Sequence, residues 1–85
     1  MGLETADLVM RVEDDFRILI PERPDKPMRT VGSLYDFIMA ELSKRETPDA
    51  DAVWKHLVKL ICEVGRVPET RIRKEARFEE DLGMG

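Results

Sequence analysis

The stretch AVWKHLVKLICEV constrains this chain more than any other. Val53, Leu57, Leu60, Ile61 and Val64 recur at intervals of three and four, which places them on one face of an α-helix, with Trp54 at its flank. The spacing predicts a helix over Ala52–Val64. Asp49 or Asp51 can cap its start, and Gly65 is a natural C-terminal stop. A short helix with one apolar face is marginal in isolation and must bury that face against something else. The rest of the chain has to supply the partners.

Two further stripes do so. Leu8, Val12 and Phe16 recur every four residues, with Leu3 and Val9 beside them, so a helix is expected from Leu3 to about Arg17. Its early carboxylates, Glu4 and Asp7, suit the positive end of the helix dipole. The segment ILIP closes it in an extended form, because the residue before Pro21 avoids helical geometry. PERPDKPMRT reads as an irregular loop. Thr30 then caps a helix expected over Val31 to about Lys44, with Leu34, Phe37, Ile38 and Leu42 as its stripe. KRETPDAD is a polar linker. After Gly65 the apolar residues thin out to Val67, Ile72, Phe78 and Leu82, spaced as anchors for a long connection. The expected fold is a single all-α domain over residues 1–85, a small bundle of three to four helices in which 46–51 is the linker.

Composition narrows the function classes. The hydrophobic share of 42% suffices for one core, and the charged share of 38% is mixed in sign. A net charge of −4, with no basic stripe or aromatic platform, argues against nucleic-acid binding. The lone Cys62 cannot form an internal disulfide, and no signal-peptide pattern or membrane-length apolar run is present. A soluble, cytoplasmic protein is expected.

LETADLVM, followed by an acidic run to Phe16, Ile20-Pro21 and then TVGSL, resembles the second half of an acyl carrier protein. The first half of that family's pattern lies after the linker, closing on FEEDLG at Phe78 to Gly83. The resemblance therefore implies permuted connectivity: residues 3–45 correspond to family helices two to four, and 52–85 to family helix one and its long loop. It also implies a role in presenting acyl intermediates to enzymes of fatty-acid, polyketide or related biosynthesis. The family's attachment motif for 4′-phosphopantetheine falls at the two ends of the sequence. Gly2 stands at the serine position, flanked by Leu3 on one side and by Asp81, Leu82 and Gly83 on the other. A glycine has no hydroxyl to form the phosphodiester, so no cofactor is expected there.

In the resembled family the second helix docks basic patches on acyl-transfer and synthase enzymes. That assigns partner binding to Glu4, Asp7, Met10, Arg11, Glu13 and Asp14, with Arg11 interrupting the acidic surface. Read from composition alone, the same residues are a solvated helix face. A non-carrier regulatory module using this helix is the alternative reading, and the expected state is a monomer, with a domain-swapped dimer as the other possibility. Ser33 reads as a helix-start residue and Ser43 as surface. His56 and Cys62 do not share a helix face well, so neither a nucleophile pair nor a metal site is expected. FEEDLG gathers three carboxylates but offers no further oxygen ligands at defined spacing, and an enzyme is the least expected class.

Overall fold

The computed structural model describes residues 3–20 and 29–84. Its order is α1 (Leu3–Phe16), α2 (Val31–Ser43), α3 (Ala50–Gly65) and a short 3-10 turn, Glu69–Arg71. Among the described residues the structure is helical, with one isolated bridge between Thr30 and Arg77 and no strand. The PERPDKPM stretch lies outside the described residues.

The apolar stripes became the core. Leu8, Val12 and Phe16 from α1 are buried, as are Leu34, Ile38 and Leu42 from α2, and Val53, Leu57, Leu60 and Ile61 from α3. Helix α3 packs against α1, α2 and the 3-10 turn, so it is the hub of the bundle. Phe37, Trp54 and Val64 sit half-buried at the margin.

The pairing of α1 with α3 fixes their relative direction. Arg11 Nη1 lies 3.0 Å from Glu63 Oε2, whereas four residues later Asp15 Oδ2 lies 2.9 Å from His56 Nε2. The Phe16 ring sits 4.8 Å from the His56 ring. Contacts that advance along α1 retreat along α3, so the two helices are antiparallel. The first turn of α1 therefore lies at the end of the bundle where α3 finishes.

Helix boundaries differ from the sequence reading where caps intervene. Helix α1 stops at Phe16 because Arg17 adopts the left-handed region (φ 55°), a conformation that is costly for a side-chain-bearing residue. Four hydrogen bonds hold that reversal. The Ile18 N–H donates to the Glu13 carbonyl at 3.3 Å, the Ile20 N–H donates to Glu13 Oε2 at 2.9 Å, and the Arg45 guanidinium donates to the Phe16 and Arg17 carbonyls. Helix α3 begins at Ala50, inside the expected 46–51 linker, because Asp49 Oδ1 accepts from the N–H groups of Asp51 and Ala52 at 3.1 and 3.3 Å.

Gly65 does not stop α3. It is the last helical residue, and Arg66 after it takes the left-handed position (φ 54°). The glycine answers a different need: a Cβ at residue 65 would sit 2.7 Å from Met84 Sδ. The end of the chain thus returns to the end of α3, and Met84 is fully buried there.

The long connection after α3 is anchored as its spacing implies. Ile72, Phe78 and Leu82 are buried, Val67 is half-buried, and Ala76 and Met84 join them. It also completes α2. The first N–H groups of a helix have no intrahelical acceptor. Here the Val31 N–H donates to the Ala76 carbonyl at 3.0 Å and the Gly32 N–H to the Lys74 carbonyl at 2.7 Å. Thr30 caps the same turn, its hydroxyl oxygen accepting from the Ser33 N–H at 3.1 Å. Ser33 is thus part of the cap. Ser43 is exposed and donates to the Met39 carbonyl at 2.7 Å.

Candidate functional site

The candidate docking surface is the outer face of α1. With Leu8, Val12 and Phe16 inward, Asp7, Met10 and Asp14 project outward at intervals of three and four residues, and all three are exposed. Met10 is 63% exposed, and Leu19 beyond the end of α1 is 81% exposed. Asp7 and Asp14 lie one turn to either side of Met10. The side chains of Leu3 and Glu4 lie outside the described residues, as do Gly2 and Gly85.

Two of the residues assigned to this face are employed elsewhere. Arg11 turns to α3 and pairs with Glu63, so its charge is met within the molecule. Both partners are about half exposed, so the pair contributes little to stability. Glu13 is half-buried, and its carboxylate accepts the Ile20 N–H. Among the described residues the outward acidic surface is therefore Asp7 and Asp14 around Met10, with Arg11 and Glu13, which the resemblance also implied, engaged within the molecule. Asp15, which the sequence did not single out, closes the edge through His56.

The other half of the motif is a tight wrap. Gly83 adopts φ +67°, its N–H donates to the Glu79 carbonyl at 3.2 Å, and the Met84 N–H donates to the Phe78 carbonyl at 2.7 Å. Only a residue without a Cβ takes that backbone readily. Leu82 is buried beneath it. The Asp81 carboxylate accepts from the Arg77 backbone N–H at 2.8 Å and from Arg77 Nε at 3.2 Å. Glu80 also pairs with Arg77. Two of the three carboxylates of FEEDLG, Glu80 and Asp81, thus answer a guanidinium, and among the described residues no group of three or more His, Cys, Asp or Glu side chains is placed to hold a metal ion.

These contacts have a pH consequence. The hydrogen bonds from the Arg77 backbone N–H and side chain hold the Asp81 carboxyl below its ordinary value, outweighing a small opposing effect of burial. A depressed folded-state pKa gives a contribution that is complete above the ordinary Asp value of about 3.9 and disappears as pH falls through the folded value. The Arg77 amide should therefore stay protected from solvent exchange down to about pH 4 and lose protection below it. Protection that fades between about pH 7 and 5 would rule this contact out.

Cys62 is half-buried, and burial, then Glu69 and Glu63, push its thiol pKa up. It is thereby a poor nucleophile at neutral pH. Val12, Phe16, Ile38, Leu57, Ile61 and Phe78 are packed core. Phe37 is half-buried. No helix among the described residues is long and apolar enough to cross a membrane. Comparison of the chain with models of known families, with curated proteins and with solved structures gives no match.

Proposed function

We propose that this chain is an acyl-carrier-like bundle acting as a docking scaffold for acyl-transfer or synthase enzymes in fatty-acid, polyketide or related biosynthesis. It binds them through Asp7, Met10 and Asp14. In this reading it works as a cytoplasmic monomer, is not itself an enzyme and, with glycine at residue 2, bears no 4′-phosphopantetheine at that position. The observation that carries the proposal is the antiparallel pairing of α1 with α3 together with the return of Met84 onto Gly65. That geometry puts the DLG segment at the pole where α1 begins, the neighbourhood that the two halves of the carrier motif require. An exposed apolar side chain between two carboxylates adds a contact surface suited to a basic partner with an apolar socket.

The glycine also favours a second reading, in which the domain occupies a partner's docking site without delivering a group. One experiment addresses both. The protein is incubated with coenzyme A and a broad-specificity phosphopantetheinyl transferase, followed by intact mass measurement and by binding to the same transferase at low salt. The expected result is no mass increase, together with binding that Asp7→Lys/Asp14→Lys weakens at least about tenfold. Glu13 is left unchanged because its carboxylate holds the turn after α1. A stoichiometric mass increase would place the acceptor at Ser33 or Ser43 and overturn the Gly2 alignment. Binding indifferent to the charge reversal would remove α1 as the docking face.

A further inference from the structure

From Arg66 to Arg77 the segment after α3 carries Arg66, Arg71, Arg73, Lys74 and Arg77 against Glu69 and Glu75, and Glu79, Glu80 and Asp81 follow, so cations and carboxylates balance over the segment as a whole. Two of these cations are occupied. Arg77 is held by Glu80 and Asp81, and the Lys74 ammonium lies 5.0 Å from the centre of the Tyr35 ring. Arg71 and Arg73 are exposed, and among the described residues neither forms an ion pair.

The backbone sets these two side chains together. Ile72 is extended (φ −90°, ψ 109°) and its side chain is buried. Arg71 closes the 3-10 turn before it and Arg73 follows it, and both side chains are exposed while Ile72 is held in the core. With Thr70, Glu75, Ala76 and Asp81 they line an open surface cleft of about 380 Å³. Asp81 spends its carboxylate on Arg77, which leaves Glu75 as the uncommitted anion of the lining.

We propose that this cleft binds a phosphate monoester. Guanidinium groups match the paired oxygens of a phosphate, and two of them, neither ion-paired among the described residues, satisfy a dianion. The Thr70 hydroxyl supplies a further donor. Glu75 accepts a hydroxyl hydrogen from the carbon portion of the ligand and repels a second phosphate, so a monoester is favoured over a diphosphate. This site is separate from the α1 face and does not depend on the carrier reading. The ester can belong to a soluble metabolite or to a lipid headgroup, since the recognised chemistry is the same.

The full chain, labelled with 15N, is titrated with glycerol 3-phosphate and, separately, with phosphatidylcholine vesicles with and without phosphatidic acid. Saturable changes confined to the amides of residues 70–76 are expected, with half-saturation on the order of 1 mM for the soluble ester. Arg71→Ala and Arg73→Ala should each weaken binding about tenfold, and Glu75→Gln should tighten it a few-fold. All three residues are exposed, so the spectrum elsewhere should be unchanged and serves as the check on folding. A response only to phosphatidic acid vesicles identifies the headgroup as the source, and a response to the soluble ester identifies a metabolite. Absence of a saturable response below about 20 mM ester and with vesicles overturns the proposal. So does a response reproduced by sodium chloride of equal ionic strength, or one that survives both arginine substitutions.

Discussion

Gly32→Val is expected to destabilise the fold by about 2–4 kcal/mol, from overpacking plus a strained hydrogen bond. A Cβ at residue 32 would lie 2.8 Å from the Lys74 carbonyl oxygen, closer than such atoms approach. That same carbonyl accepts the Gly32 N–H at 2.7 Å. The obstacle is backbone, so relief requires the 74–77 segment to withdraw and give up its bonds to Val31 and Gly32. The start of α2 would then lose acceptors that nothing else in the bundle replaces. In urea, the midpoint should fall, with an unchanged slope if the segment stays docked under strain and a lower slope if it withdraws from α2. Gly65→Ala is the internal comparison. Its obstacle is the Met84 thioether, the end of a side chain rather than backbone, and alanine has the higher helix propensity. Its cost should therefore be well below that of Gly32→Val. If Gly32→Val is within about 0.5 kcal/mol of the parent, the long segment does not dock on α2 as described.

The same residues show what a sequence can and cannot reveal. The three helices were legible because burial leaves a periodic trace: Leu8, Val12 and Phe16, and Val53, Leu57 and Ile61, are buried at the positions their spacing implied. Thr30 as a cap was legible because a threonine before an apolar run has few other uses. The docking of 74–77 on α2 was not legible, since its acceptors are the backbone carbonyls of Lys74 and Ala76 and carry no residue signature. Gly32 and Gly65 were ambiguous for a related reason. Glycine serves turns and close approaches alike, and only the packed neighbour tells which. Gly65 pointed to a helix end, whereas its role is to admit Met84.

The candidate sites were legible to different degrees. Asp7, Met10 and Asp14 could be placed on one face by periodicity, but nothing local in the sequence told that Arg11 would answer Glu63, fifty-two residues away. Glu13 looked like Asp14 in sequence and differs from it only because the chain reverses at Arg17 and brings the Ile20 N–H to it. The Arg71–Arg73 pair looked like ordinary surface charge. Ile72 between them was recognised as an anchor, yet nothing local in the sequence told that Asp81, which also lines the cleft, would be engaged by Arg77.

Leu57→Ala should be the most damaging truncation, at about 3–5 kcal/mol. Leu57 is fully buried on the helix against which α1, α2 and the 3-10 turn all pack, so a cavity there has few routes to collapse. A domain of this size holds roughly 4–13 kcal/mol in total, so the loss removes a large share of it. The thermal midpoint should drop by about 15 °C or more. A loss below about 1 kcal/mol would mean that α3 is not the hub. Met10→Ala, by contrast, should change stability by no more than about 0.5 kcal/mol, because its side chain is 63% exposed. The two residues are both apolar and both helical, and only one answers to the core. An exposed methionine that can be removed without structural cost is retained for something outside the fold or for nothing. Transferase binding by Met10→Ala, measured beside its melting curve, separates those cases: weaker binding with an unchanged melt places the methionine at the contact, and unchanged binding removes it from the docking face.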